Sequence, residues 1–213
     1  MTYMLGLLPQ LLEGLKVTME FFLIVLVLSI PLGILVAVGR KSRIFLLNKI
    51  LEYYILVMRG TPLLLQIIVI FFGLPIVGIT FERFTAGVIA FTLNYAAYFG
   101  EIFRSGINSI DEGQYEGAEV LGLSPVNTFF RIILPQAIKR VIPPVANEIT
   151  VLVKDTSLVY VLGLDEVLKI AKIASNRDVT LVPLLLCALM YLIIIGIISK
   201  GVQRVEKRYE YYS

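Results

Sequence analysis

Five polar side chains fall on shared helix faces within stretches of the chain that are otherwise apolar. Asn94, Tyr98 and Glu101 are spaced at i, i+4 and i+7, which places all three on one side of a helix. Glu148 and Asp155 are seven residues apart, about two helical turns, and so share one side of a later helix. Carboxylate, amide and phenol groups bind polar ligands through charge and hydrogen bonds. We predict that these five residues line a ligand site or a water-filled path.

The alternative is that these side chains satisfy one another in a structural network. Lys154 is next to Asp155 in the sequence and could pair with it or with a carboxylate on another helix. Against this, an ionisable group inside a bilayer costs about 2.5–3.5 kcal/mol on insertion scales, so several such groups favour a functional site. Asn94, Tyr98 and Glu148 are expected nearest the middle of the membrane and are the first candidates for direct ligand contact.

The residue types needed for most enzyme chemistry are missing from the sequence. The 213 residues include no histidine, which excludes an HExxH zinc site and a serine triad with a histidine base. No segment matches the phosphate-binding pattern GxxxxGK followed by Ser or Thr. Cys187 is the single cysteine, which excludes a disulfide framework and a Cys/His zinc site. We therefore expect no catalytic residue, no metal site and no cofactor on this chain.

The elements that must position the polar faces are membrane-spanning helices. The sequence is 58% hydrophobic and only 16% charged, with a mean hydropathy of +0.87, more apolar surface than a soluble domain could cover. About 20 apolar residues cross the ~30 Å hydrocarbon core as a helix. We predict one domain, residues 1–213, with five crossings: 17–39, 61–76, 84–103, about 145–164 and 180–199. Residues 1–16 predict an amphipathic helix on the membrane surface, and residues 165–178 an external helix.

The distribution of basic residues orients this topology. Twelve of the 19 Lys and Arg residues fall in segments that it places inside, and five fall in segments that it places outside. By the positive-inside rule the N-terminus is expected outside and the C-terminus in the cytoplasm. The net charge of +3 reflects this bias, and we expect no nucleic acid partner because the basic residues form no clustered surface.

The apolar run from residue 44 to 76 is longer than one crossing needs and contains its own interruption. The Arg-Gly-Thr-Pro sequence at 59–62 predicts a break, because proline lacks an N–H donor and arginine is costly in lipid unless it faces protein or water. A proline kink with no further role is the alternative. A second, double break is expected at Pro143 and Pro144.

Residues 105–135 form the longest water-compatible stretch and lie on the predicted cytoplasmic side. Gly122 can take the left-handed conformation that ends a helix, and Ser124 with Pro125 supplies an N-cap and a first helical residue. The pattern predicts a helix, a glycine turn and a second helix. An ordinary polar connection between two crossings is the alternative.

In three places the sequence resembles the membrane subunits of ATP-binding-cassette (ABC) importers for polar amino acids. The cytoplasmic stretch is similar to the family's EAA loop, with these residues in the family's spacing: Glu116, Gly117, Ala118, Gly122, Ile132, Leu134 and Pro135. Gly117 departs from the pattern, where alanine is usual. Arg-Gly-Thr-Pro-Leu-Leu from residue 59, followed by Gln66, resembles the signature of the amino-acid subfamily, and so does Lys-Asp-Thr-Ser-Leu from residue 154.

The resemblance implies an all-α, type I ABC importer permease fold with a cytoplasmic coupling helix, in a bacterial inner (plasma) membrane. The implied partners are membrane lipid, a second permease subunit (identical or related), two ATPase subunits that hold ATP and Mg, and an extracytoplasmic amino-acid-binding protein. The residues implied to contact the ATPase are Glu116, Gly117, Ala118, Leu121, Gly122 and Leu123. Structural or gating roles are implied for Arg59, Gly60, Pro62, Pro135, Pro143 and Lys154.

The substrate is predicted from the charges in the membrane. Acidic groups at 101, 148 and 155 outnumber the basic groups near them, which favours a cationic amino acid such as arginine, lysine or histidine. Glutamine or another polar amino acid is the alternative within the same family. An ion-coupled secondary transporter would also place acids on inward faces, but five crossings do not divide into the internal repeats that such proteins show. A scaffold subunit would leave the buried charges without a purpose.

Overall fold

The computed structural model describes residues 2–210, and every regular element in that part of the chain is a helix. The α-helices are α1 (Thr2–Arg40), α2 (Phe45–Gly60), α3 (Leu63–Ile68), α4 (Arg83–Asn108), α5 (Glu112–Val120), α6 (Pro125–Thr128), α7 (Leu134–Asp155), α8 (Val167–Asp178) and α9 (Val182–Glu210). Shorter π and 3-10 turns follow some of them: Val69–Gly73, Leu74–Val77, Phe129–Ile133 and Thr156–Leu162. The all-α prediction is confirmed. Met1 and residues 211–213 lie outside the described part of the predicted domain.

Helix α1 is one continuous element, so residues 2–16 continue into the first predicted crossing and do not form a separate helix; their position at the membrane surface stays a prediction. Its 39 residues would extend about 58 Å. Leu7 and Leu11 are buried in a cluster with α8 and α9, and a side chain on Gly14 would come within 2.9 Å of the Val167 Cα. Packing of this end against α8 gives its leucines a protein partner, and the helix continues through Pro9 into the main apolar run.

Helix α4 is the central element and packs against α1, α2, α3 and α7. Its approach to α1 is close enough to require glycine on both helices. A Cβ on Gly33 would lie 2.7 Å from the Phe99 Cβ, and a Cβ on Gly100 would lie 2.6 Å from the Val36 Cγ1. Contacts this short do not occur between real side chains, so these two positions fix the separation of the helices.

Aromatic side chains fill the space between α1, α4 and the end of α7. Phe21, Phe91, Tyr95 and Phe99 are each at most 1% exposed, and the Phe21 and Phe91 rings meet edge to face with centroids 5.0 Å apart. Rings of this kind bury large apolar areas and lock relative helix positions. The polar side chains of α4 are therefore attached to a rigid support.

The predicted break at residues 59–62 is confirmed. Helix α2 ends at Gly60, and the helical segment that begins at Leu63 leaves it at a bend of 108°. The amide of Pro62 would be the donor to the Met58 carbonyl in a continuous helix, and proline has no N–H to give. The chain turns where this bond is missing.

The predicted double break at Pro143 and Pro144 is wrong, because α7 runs through both residues from Leu134 to Asp155. A proline removes one hydrogen bond from a helix without necessarily ending it, provided that packing holds the segment. The irregular turns lie at the two ends of α7 instead. A π-helical turn, Phe129–Ile133, precedes it, and a 3-10 turn follows it and ends at Gly163, where φ is +75°.

The helix predicted over residues 165–178 is present as α8, and its position outside the membrane stays a prediction. Its N-cap, Glu166, is fully buried, and the carboxylate accepts hydrogen bonds from the Leu168 N–H (2.7 Å) and the Lys169 N–H (2.6 Å). Burial outweighs these hydrogen bonds and raises the pKa of Glu166 to about 7. The start of α8 is therefore held by a carboxyl group that titrates near neutral pH.

In the described residues, two helices are long and apolar enough to cross a membrane, Gly6–Arg40 and Val182–Tyr209. The bent pair Phe45–Gly60 and Leu63–Val77 makes a third if it counts as one span. Helices α4 and α7 carry the polar faces described above, which lowers their mean hydropathy. The number of five crossings and their orientation stay predictions.

Candidate functional site

A pocket of about 600 Å³ lies between the break after α2, helix α4 and helix α7. Four of the five predicted ligand-site residues line it: Asn94, Tyr98, Glu148 and Asp155. The seven-residue spacing on α7 indeed directs both carboxylates into one space. The break brings Arg59 to the same wall.

Glu101, the fifth predicted residue, does not line this pocket. It accepts two hydrogen bonds from Arg104, at 2.6 Å and 2.9 Å, and forms an ion pair with it. Glu101 instead lines two adjoining cavities of about 450 and 480 Å³. Lys154 is exposed and does not line the 600 Å³ pocket, and the described residues include no ion pair between Lys154 and a carboxylate.

The Asn94 side-chain amide supplies a hydrogen-bond donor at the break after α2. Its Nδ2 donates to the Met58 carbonyl (2.8 Å), which Pro62 leaves without a backbone donor, and to the Gln66 Oε1 (3.0 Å). Gln66 in turn donates to the same carbonyl (3.0 Å) and to the Thr61 hydroxyl (2.9 Å). Asn94 is only 4% exposed. Its amide nitrogen therefore serves the structure at the edge of the pocket.

Tyr95 is a pocket residue that sequence reasoning missed. It is 1% exposed, and its hydroxyl donates to the Asp155 carboxylate at 2.7 Å. The helical repeat places Tyr95 about 100° around α4 from Asn94, off the face that the sequence pattern singles out. Only the packing of α4 against α7 reveals the contact. The hydrogen bond fixes the direction of the Asp155 carboxylate.

Arg59 lies where the pocket and the two adjoining cavities meet, and it lines all three. Its guanidinium carbon is 5.1 Å from the centre of the Tyr98 ring, the geometry of a cation–π contact. It is also close enough to interact electrostatically with Glu148 on one side and Glu101 on the other. This one cation therefore influences the carboxylates of separate cavities.

The 600 Å³ pocket has an excess of negative charge. Two carboxylates, Glu148 and Asp155, face one guanidinium, Arg59. Asp155 has Tyr95 as a donor, whereas no described residue donates a hydrogen bond to Glu148. Residues 2–210 contain no group of three His, Cys, Asp or Glu side chains placed to hold a metal ion. The arrangement is suited to binding a cationic group directly.

The segment at residues 112–125 has the predicted helix, turn and helix. Gly122 has φ +70°, and the N–H groups of Gly122 and Leu123 donate to the Glu119 carbonyl (2.9 Å) and the Ala118 carbonyl (3.0 Å). This is the hydrogen-bond pattern of a Schellman motif. Ser124 caps the next helix by accepting from the Asn127 N–H at 3.4 Å.

The outward face of α5 differs in part from the predicted one. Ala118 is 2% exposed and packs inward, so it cannot be part of an outer surface. Glu116 and Gly117 are exposed, and the side chains beside them, Val120 and Leu121, are 87% and 77% exposed. Val120 is not among the residues predicted from the sequence to contact the ATPase, although it lies one turn after Glu116. The result is a short helix with two protruding apolar side chains next to a tight turn.

Residues 29–211 match the family described as the inner membrane component of binding-protein-dependent transport systems. The chain belongs to this family. The permease is 36% identical to a Rickettsia typhi protein named as a glutamine transport system permease, GlnP, over 97% of each chain. It is 37% identical to the arginine transport system permease protein ArtQ of Bacillus subtilis, over 92% of each.

Among solved structures, the permease superposes on a crystal structure of an amino acid ABC transporter with histidines. The TM-score is 0.92 at 32% sequence identity, and the match covers 97% of each chain. The type I importer fold that the sequence resemblance implies is thus supported by both sequence and structure.

The gating residues predicted for this permease fall in separate places. Gly60 and Pro62 form the break beside the pocket. Pro135 follows the π-helical turn at the start of α7, while Pro143 lies inside α7 and is exposed. Of these three locations, only the break borders the 600 Å³ pocket.

Proposed function

We propose that this permease forms the translocation path of an ATP-driven importer for a cationic amino acid, arginine, lysine or histidine. The observation that carries the proposal is the pocket with two carboxylates, Glu148 and Asp155, against one guanidinium, Arg59. Its side-chain charge sums to −1. A ligand with a net charge of +1 neutralises that excess, whereas a zwitterion leaves one carboxylate without a counter-charge in partly buried surroundings, which is costly.

Glutamine is the second candidate, because a relative that is 36% identical carries the name of a glutamine permease. The relative named for arginine is equally similar at 37%, and the superposed transporter was crystallised with histidines. Relatives of equal similarity thus carry names with both neutral and cationic amino acids. The charge of the pocket decides our preference. An ion-coupled secondary transporter is not favoured, since the chain belongs to a family of binding-protein-dependent systems.

The proposed assembly includes an identical or related second permease, two ATPase subunits that bind ATP and Mg, and an extracytoplasmic amino-acid-binding protein, in a bacterial inner membrane. We assign ATP hydrolysis to the partner subunits and assign no catalytic residue to the permease. Val120 and Leu121, which protrude from α5 beside the Gly122 turn, are suited to dock in an apolar cleft of the ATPase. Glu116 and Gly117 lie on the same face, and Ala118, buried beneath them, would support the helix from inside.

The substrate is tested by uptake of labelled arginine and labelled glutamine into vesicles that contain the complete transporter. Glu148→Gln removes the excess negative charge, so we expect arginine uptake to fall at least tenfold at low substrate concentration, with glutamine uptake reduced less. Asn147→Ala changes an exposed neighbour on the same helix and serves as the control. Unchanged arginine uptake in the Glu148 variant would refute the cationic assignment.

The coupling surface is tested by co-purification with the ATPase. Glu116→Lys reverses a charge on the outward face of α5, and we expect both ATPase recovery and transport to fall. Glu82→Lys makes the same change at an exposed residue outside this segment, just before α4, so it is the matched control. If both variants retain the ATPase equally well, the proposed contact is misplaced.

A further inference from the structure

We infer that Arg59 is a tethered counter-ion that exchanges between Glu148 in the pocket and Glu101 outside it as a cationic amino acid binds and leaves. The inference rests on the proposed function and adds to it the residue with which the substrate competes. Arg59 lies between the two carboxylates, because it lines the cavities of both. The exchange would make occupancy of the pocket by substrate depend on groups outside the pocket.

The environment of Arg59 leaves its guanidinium free to move. The side chain is exposed, and among the described residues it makes no hydrogen bond and no ion pair within 4 Å. Its guanidinium carbon lies 5.1 Å from the centre of the Tyr98 ring, a weak cation–π contact at an exposed site. Tyr98 itself lines both the pocket and one adjoining cavity. Over this ring, the Arg59 guanidinium therefore lies between a position beside Glu148 and a position beside Glu101.

The two carboxylates available to Arg59 differ in what already occupies them. Glu148 has no donor among the described residues. Glu101 already has the two hydrogen bonds from Arg104 and a further electrostatic interaction with Arg40. Arg59 and Arg104 thus compete for Glu101. A cationic substrate that enters the pocket competes with Arg59 for Glu148, so the occupant of Glu101 affects substrate affinity.

This competition predicts opposite effects for the two partners of one ion pair. Glu101→Gln removes the outer partner of Arg59, which then spends more time at Glu148, and the KM for arginine uptake rises about three- to fivefold. Arg104→Gln frees Glu101 to draw Arg59 out of the pocket, and the KM falls by a similar factor. If the ion pair were merely structural, both substitutions would shift the KM in the same direction.

The experiment measures arginine uptake by vesicles with the complete transporter, for the unaltered permease and for both variants. Arg59→Gln, at an exposed position, should by itself lower the KM for arginine uptake. Combined with Glu101→Gln or Arg104→Gln, it should abolish the effect of that second substitution on the KM. This variant also decides the matter if an ion-pair variant does not accumulate: an unchanged or raised KM overturns the inference. Shifts of equal sign in the two ion-pair variants overturn it as well. Absence of cationic amino acid uptake in the unaltered transporter would instead overturn the proposed function, and the inference with it.

Discussion

Replacing Asn94 by alanine tests whether this residue holds the break in the second helix together. The Asn94 amide donates one hydrogen bond to the Met58 carbonyl and another to the Gln66 Oε1, at 2.8 and 3.0 Å. In the variant, Met58 keeps a single donor, Gln66, and the Gln66 oxygen loses its own. The sequence pattern predicts that Asn94 contacts the ligand directly. The variant therefore separates a structural role of Asn94 from a ligand-binding one.

The expected loss is about 1–2 kcal/mol in the free energy of unfolding. Side-chain hydrogen bonds inside membrane proteins contribute about 0.6 kcal/mol each, and a small void where a 4% exposed side chain was adds to the cost. For a domain of this size 1 kcal/mol corresponds to about 2–4 °C, so the unfolding midpoint should fall by about 2–8 °C. Asn94→Ala combined with Gln66→Ala leaves Met58 without a side-chain donor and should cost more than the two single changes together.

The assay is thermal unfolding of the purified permease in detergent, followed by uptake measurements. Asn108→Ala is the matched control, because Asn108 is an exposed residue at the end of the same helix. Arginine uptake should fall with the midpoint in the Asn94 variant, since Arg59 is next to the break. A variant with the stability of the control but no transport would refute the structural role and point to direct ligand contact.

Three further changes are predicted from local geometry. Gly122→Ala places a side chain at φ +70° and should weaken the turn by about 1 kcal/mol and reduce recovery of the ATPase, whereas Gly117→Ala, with open space around it, should change neither. Burial raises the pKa of Glu166 from 4.5 to about 7, so the contribution of this group to the free energy of unfolding should be full below pH 4.5 and be lost as pH rises through 7. The difference in melting midpoint between the unaltered permease and Glu166→Gln should therefore change with pH over this range. Gly33→Ala brings a Cβ within 2.7 Å of α4 and should cost about 1–3 kcal/mol on thermal unfolding, while Gly196→Ala, in open space on α9, should be neutral or slightly stabilising.

The parts of the fold predicted correctly are those where the signal is local. The break at residues 59–62 follows from one missing N–H at Pro62, and the α5 turn follows from the freedom of Gly122 and the cap at Ser124. The mistaken parts depend on packing between distant segments. Pro143 carries the same local signal as Pro62, yet α7 continues through it, because a proline alone does not determine whether a helix bends.

The residues that line the 600 Å³ pocket were likewise predicted only in part. Helical spacing alone places Glu148 and Asp155 in one space, since both lie on α7. The same spacing predicts that Glu101 lies with Asn94 and Tyr98 in one pocket. Instead, Arg104, one turn further along α4, pairs with Glu101, and Glu101 lines the two adjoining cavities. Tyr95 could not be found from the sequence, because its partner Asp155 is 60 residues away on another helix.

The break and the pocket are one physical unit, and this narrows the set of ligand-binding residues. Pro62 bends the chain and so brings Arg59 to the pocket, but it also leaves the Met58 carbonyl without a donor. Asn94 and Gln66 supply that donor, so the Asn94 amide nitrogen is already in use. Tyr95 occupies one oxygen of Asp155 and the guanidinium of Arg59 rests on Tyr98. Glu148 is then the pocket carboxylate without a hydrogen-bond donor among the described residues, which is why we expect its charge to have the largest effect on which amino acid is transported.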